Sequence, residues 1–182
     1  MDGLVFETAL GYMAFARAND IVLSLTLGHR SERAAIKTLN SRLAEDLLYD
    51  FVVDPSVDDL VDQLYRMADG DEVNFDDVEV DMTGRTPFQL QVLAACRAIP
   101  RGETRSYGEL AKAAGRPGAA RAVGSVMASN RTPLIIPCHR VVLASGAAGH
   151  FSAPQGEVMR RRLLGLEGPA VSDQPSAVSM LV

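Results

Sequence analysis

The chain has 182 residues, 47% of them apolar, which suits one large domain or two small ones around a buried core and excludes a disordered chain. Its longest apolar runs break within a few residues, and the start, MDGLVFETAL, lacks a basic, apolar leader; a bilayer span and a secretory signal are not expected, and a cytoplasmic protein is. The net charge of -5 hides a split, because residues 1–82 carry 6 Lys+Arg against 18 Asp+Glu while residues 83–169 carry 12 against 4. That second, Arg-rich part can face a polyanion, or the two oppositely charged parts can dock on each other. Cys96 and Cys138 are the only cysteines, too few for a disulfide framework and suited to a reducing compartment.

In chain order, the runs LVFETAL, YMAFARA and IVLSLTL alternate apolar and polar residues and are separated by Gly11 and by Asn19-Asp20, which predicts an antiparallel meander. After Ser31, Ala35, Leu39, Leu43 and Leu47 recur at helical spacing. A second helix is expected with Ser56 as its cap, Leu60, Leu64 and Met67 on one face and Gly70 as its stop. Val78, Val80 and Met82 predict a further strand. From Thr86 the texture becomes helical: Thr86, Pro87 and Gln89 form a capping box before a stripe of Val92, Leu93, Cys96 and Ile99. Ser106 and Glu109 form another box at the head of SYGELAKAAG, and after the turn GRPG the segment AARAVGSVMASN buries Val123, Val126 and Met127. Two short helices about a tight turn make a helix-turn-helix. The fold class is therefore α+β: a small N-terminal antiparallel sheet with helices over 1–82, a mostly helical, winged-helix-like domain over 83–169, and a flexible tail over 170–182.

Residues 135–142 read IIPCHRVV and set a thiol, an imidazole and a guanidinium side by side in an apolar run, where each is costly unless partnered. Ile135 and Ile136 are expected as a core strand that Pro137 turns. Cys138 could be a buried small hydrophobe. A zinc site needs about four ligands, and Cys96, His29 and His150 show no ligand spacing, so no metal is expected. A cysteine hydrolase would need a base in reach, and adjacent residues on a strand face opposite sides unless the chain turns or a water bridges them. The remaining reading is a thiolate nucleophile used once.

PCHRVV, preceded by GAARAVGSVMASN and SYGELA, resembles the DNA-binding and alkyl-acceptor domain of the O6-alkylguanine-DNA alkyltransferases, over about Thr86 to Gly168. The resemblance implies direct-reversal DNA repair: one alkyl group passes from O6-alkylguanine, and also O4-alkylthymine, to Cys138, with no cofactor. It implies that His139 deprotonates Cys138 through a water, that Glu167 orients His139, and that Tyr107 donates to a purine ring nitrogen. By the same analogy the Ser152 N–H donates to the departing oxygen, and the Cys138 and Val141 carbonyls read the exocyclic amine. Asn130 is the hinge, Met127 and Pro133 line the pocket, and Arg121 intercalates from a helix whose small residues, Ala120 among them, let it lie in the minor groove of duplex DNA; Arg140 is placed on the same substrate and DNA side.

Two departures bear on pocket width: Phe151 stands where many members have tyrosine, and SAPQGEVM replaces a glycine-rich loop. The structural zinc of some relatives is not expected in residues 1–82, and a monomer without membrane contact is. A non-catalytic sensor of alkylated DNA and a transcriptional regulator are the competing readings. The intact acceptor cysteine speaks against the first and the lack of a dimerisation element against the second.

Overall fold

Gly11, at φ 98, and Asn19, at φ 52, turn the chain twice in backbone conformations that glycine and asparagine tolerate best. The strands they join are β1 (Asp2–Thr8), β2 (Gly11–Ala18) and β3 (Ile21–His29), antiparallel as the alternation predicts, with β4 (Asp50–Val52) added in parallel beside β1 to give the order β3-β2-β1-β4. The computed structural model describes residues 2–43, 50–52, 58–149 and 151–168; the expected positions Leu47 and Ser56, His150 and the 170–182 tail lie outside them.

The strand period of two sorts side chains by size across β2. Ala14 and Ala16 face Ala35 and Leu39 of helix α1 (Glu32–Arg42), and the short alanines let that helix lie close. Met13 and Phe15 face the other way and join Leu4, Phe6 and Leu25 in a core that continues through Val92, Leu110, Val123 and Met159. One cluster of buried side chains thus spans both charge-distinguished parts of the chain.

Helix α2 (Asp59–Asp69) stops at Gly70, in the left-handed region at φ 99, as expected. Its cap is Asp58 rather than Ser56: Asp58 Oδ1 accepts from the N–H groups of Leu60 and Val61, and Oδ2 meets Arg17 at 2.6 Å. The strand expected at Val78–Met82 does not form. Val80 makes an isolated bridge to Val22, while Arg97 draws the carbonyls of Phe75, Asp76 and Val78 onto its guanidinium. The ladder is limited to the two backbone bonds that Val22 makes, its N–H to the Glu79 carbonyl and its carbonyl from the Asp81 N–H, both at 2.9 Å.

Both predicted capping boxes form. Thr86 with Gln89 opens α3 (Pro87–Arg97), and Ser106 with Glu109 opens α4 (Tyr107–Ala113). Next come α5 (Ala120–Ala128), which completes the helix-turn-helix, and α6 (Glu157–Leu166). The parallel pair β5 (Arg105–Ser106) and β6 (Val141–Val142) ties the head of α4 to the segment after Cys138. Ile135 and Ile136 are buried but form no strand. Leu134, at φ 76, turns the chain, and the Ile136 N–H bonds back to the Thr132 carbonyl at 2.9 Å.

Candidate active site

A 3-10 turn, Cys138–Arg140, follows Pro137 and resolves the geometric objection to a cooperating Cys-His pair, since the two are not on an extended strand. Cys138 lines a cavity of about 260 Å³, together with Tyr107, Gly124, Met127, Ala128, Leu143, Phe151, Ser152 and Arg160. His139 and Arg140 instead reach Glu167, the C-cap of α6.

Glu167 is the centre of that cluster. His139 Nε2 lies 2.8 Å from Oε1, Arg140 Nε spans both oxygens at 3.1 and 3.0 Å, and Arg140 Nη1 donates to the Ile99 carbonyl at 2.6 Å. Burial alone would raise the Glu167 carboxyl, but the hydrogen bonds and charge of His139 and Arg140 bring it down to about 2. A carboxylate only accepts, so Nε2 of His139 is the protonated nitrogen and donates. The other ring nitrogen, Nδ1, is buried, has no hydrogen-bond partner among the described residues, and is left with its lone pair. Burial also lowers the His139 pKa, so the ring is a neutral base near pH 7.

At 2% exposure, Cys138 has its thiol pushed up by burial, against the lowering effects of the Asn130 hydrogen bond and the charges of Arg160 and Arg42. The resting group is a thiol that needs a base. Asn130 fixes the local chain: its Nδ2 donates to the Ile136 carbonyl at 2.9 Å and its Oδ1 accepts from the Thr132 N–H at 3.1 Å, tying the end of α5 to the cysteine turn. The next residue is held from the sheet, because the Arg131 carbonyl accepts from Leu25 N at 2.7 Å and from Ser24 Oγ at 3.3 Å. Edge strand β3 thus gives otherwise unpaired donors to the site's scaffold.

Among the residues singled out from sequence, Tyr107, Met127 and Ser152 line the cavity with Cys138. Ala120 and Arg121 line a groove of about 510 Å³ that shares Tyr107, Gly124 and Leu143 with it, and Arg121 is exposed. Pro133 and Val141 are buried and are not among the residues that line the cavity, and the Cys138 carbonyl faces Arg160 Nη2 at 3.5 Å. Arg140, expected on the DNA side, turns inward because Glu167 and the Ile99 carbonyl hold its guanidinium. Arg160 was missed. It reads as one of three consecutive arginines, yet helical spacing puts it with Met159, Leu163 and Leu164 on the buried stripe of α6. Among the described residues no group of three or more His, Cys, Asp and Glu could hold a metal ion, and no helix is long and apolar enough to cross a membrane.

Residues 87–169 match the family described as 6-O-methylguanine DNA methyltransferase, DNA binding domain. Curated methylated-DNA–protein-cysteine methyltransferases are 48% identical over 104 residues in Mycobacterium tuberculosis and 39% identical over 115 residues in Methanothermobacter thermautotrophicus. These matches cover 57% and 63% of this chain and 60% and 63% of those relatives. Solved structures match over more of the length. The crystal structure of Mycobacterium tuberculosis OGT in complex with DNA is 34% identical with a TM-score of 0.72, covering 92% of each chain. The O6-methylguanine-DNA methyltransferase of Pyrococcus kodakaraensis is 26% identical with a TM-score of 0.72, covering 91% of this chain and 99% of that one. With the Cys-His-Glu cluster, the helix-turn-helix and a likeness of this extent, the chain belongs to the O6-methylguanine-DNA methyltransferase family.

Proposed function

We propose that this chain repairs DNA by direct reversal, acting as a cytoplasmic monomer that takes one methyl or other alkyl group from O6-alkylguanine onto Cys138. The observation that carries the reading is a nucleophile in a half-enclosed cavity whose neighbour, His139, is oriented by Glu167 and keeps a basic Nδ1 with no partner among the described residues. A water between Nδ1 and the thiol would pass the proton, leaving a thiolate. The sulfur then forms an S–C bond as the C–O bond breaks, and the electron pair leaves on the purine. Tyr107, which lines the cavity, donates to the leaving base, and the Ser152 N–H donates to its oxygen. The thioether does not readily revert, so each molecule acts once.

The target base must leave the stack, which costs a few kcal/mol. Arg121, exposed on α5, stands at the groove that opens on the cavity, where it fills the gap the base vacates. Exposed Ala122 and the half-buried Ala120 and Gly124 keep that helix surface low enough for the minor groove. Arg140 acts through Glu167 rather than on DNA, and Asn130 holds the chain that leads into the cysteine turn.

Incubation with a duplex carrying one O6-methylguanine, followed by peptide mass analysis of the protein and of Cys138→Ala, tests this. A stoichiometric gain of one methylene mass on the Cys138 peptide, absent in the variant, is expected. Tight lesion binding without mass gain would replace transfer with sensing.

A further inference from the structure

Arg160 is a buried cation with no ion-pair partner among the described residues. It is 2% exposed, and the nearby carboxylates are committed elsewhere, Glu157 to Arg161 and Glu167 to His139 and Arg140. Its Nη1 donates to the Ala148 carbonyl, and its Nη2 lies 3.5 Å from both the Tyr107 hydroxyl and the Cys138 carbonyl. Its Nε is buried and has no hydrogen-bond partner among the described residues, and its guanidinium carbon sits 5.1 Å from the centroid of the Phe151 ring. Its guanidinium places a positive charge in the wall of the cavity that holds Cys138. An uncompensated charge in such a place is costly. An anion in the cavity would relieve that cost.

We infer that Arg160 is the counter-ion of the negative charge that passes through this cavity, stabilising the Cys138 thiolate once a base has formed it and facing the purine anion after transfer. The second half rests on the proposed repair reaction; the first concerns the thiol alone. The other groups around the sulfur do not supply this charge from within the cavity wall. Arg42 of α1 is felt at Cys138, but its Nη1 is bonded to the Leu25 carbonyl at 3.1 Å and it lies outside the cavity lining. Cys96 of α3 is kept protonated by burial, His139 is kept neutral by burial, and Arg140 is matched by Glu167. Tyr107 and Asn130 contribute a hydroxyl and an amide. Arg160 is the cation in the described lining of the cavity that holds Cys138, the space where the base would sit.

The test uses the full chain and no DNA. Iodoacetamide alkylates a thiolate, forming an S–C bond and releasing iodide, and peptide mass reads its rate at Cys138 against pH for the native protein, Arg160→Lys and Arg160→Met. Loss of the charge should raise the apparent pKa of Cys138 by about one unit, slowing alkylation near neutral pH about tenfold, with Arg160→Lys far closer to native. Iodoacetate adds a carboxylate to the same reagent. The native protein should favour it over iodoacetamide more than free cysteine does, and Arg160→Met should lose that preference. Coincident pH profiles for native protein and Arg160→Met would overturn the inference. So would a native preference no greater than that of free cysteine, a measurement that stands even if Arg160→Met does not fold. A shifted thiol profile with no methyl transfer from O6-methylguanine DNA would keep the counter-ion and defeat the repair reading instead.

Discussion

Replacing Glu167 with glutamine keeps the shape of the side chain and removes the charge on which His139 and Arg140 converge. The carboxyl falls from an ordinary 4.5 to about 2 in the folded protein, a difference worth about 3 kcal/mol at neutral pH at 1.36 kcal/mol per unit. Because the folded value is the lower one, this stability is complete above the unfolded pKa and drains away as pH falls from about 4.5 to about 2. Glu167→Gln should therefore be about 3 kcal/mol less stable than the native protein at pH 7, but only about 1.4 kcal/mol less stable at pH 3. Urea unfolding followed by circular dichroism at both pH values measures the two gaps. A gap under about 1 kcal/mol at pH 7, or one that does not shrink at pH 3, would refute the assignment of Glu167 as a buried, doubly engaged carboxylate. The variant should also slow methyl transfer by about 100-fold, since His139 loses the group that fixes its tautomer.

Tyr107→Phe should slow methyl transfer about tenfold or more while shifting the urea midpoint only slightly, because the hydroxyl's contact with Arg160 Nη2 is long, at 3.5 Å, and the half-buried ring that packs against the core is kept. Arg121→Ala should weaken binding to duplex DNA and lower the salt slope by about 1 without changing the iodoacetamide rate at Cys138, read by fluorescence anisotropy and peptide mass respectively. Gly28→Ala places a Cβ 2.6 Å from the Met159 side chain at a backbone φ of 77 and should cost about 1–3 kcal/mol in urea unfolding. Shortening Met159 in the same chain would recover the steric part of that loss but not the backbone part.

What could be read from the chain was what is decided locally. The two capping boxes, the Gly70 stop and the hairpin turns depend on residues a few positions apart, and all form. Local pattern failed where distant groups decide. Val78–Met82 alternates like a strand, but Arg97 supplies donors to the backbone just before it. Ile135 and Ile136 have strand composition, but their place between Asn130 and the cysteine turn folds them back on Thr132. Cys138, His139 and Glu167 were legible as a set only through family resemblance, since 28 positions separate His139 from its partner. The inward course of Arg140 and the isolation of Arg160 depend on which acids are already taken, and no spacing rule encodes that.

Helix α6 carries Arg160 on its second turn and Glu167 at its cap, near the end of the described chain. A single opening of this one helix would strip the cavity of its cation and the histidine of its carboxylate together, while the helix-turn-helix kept its own caps and packing. Competence for chemistry and competence for duplex binding can therefore be lost at different free energies, the first with a local excursion and the second with a wider one. Amide exchange along α6, set against exchange along α5, would read the interval between them.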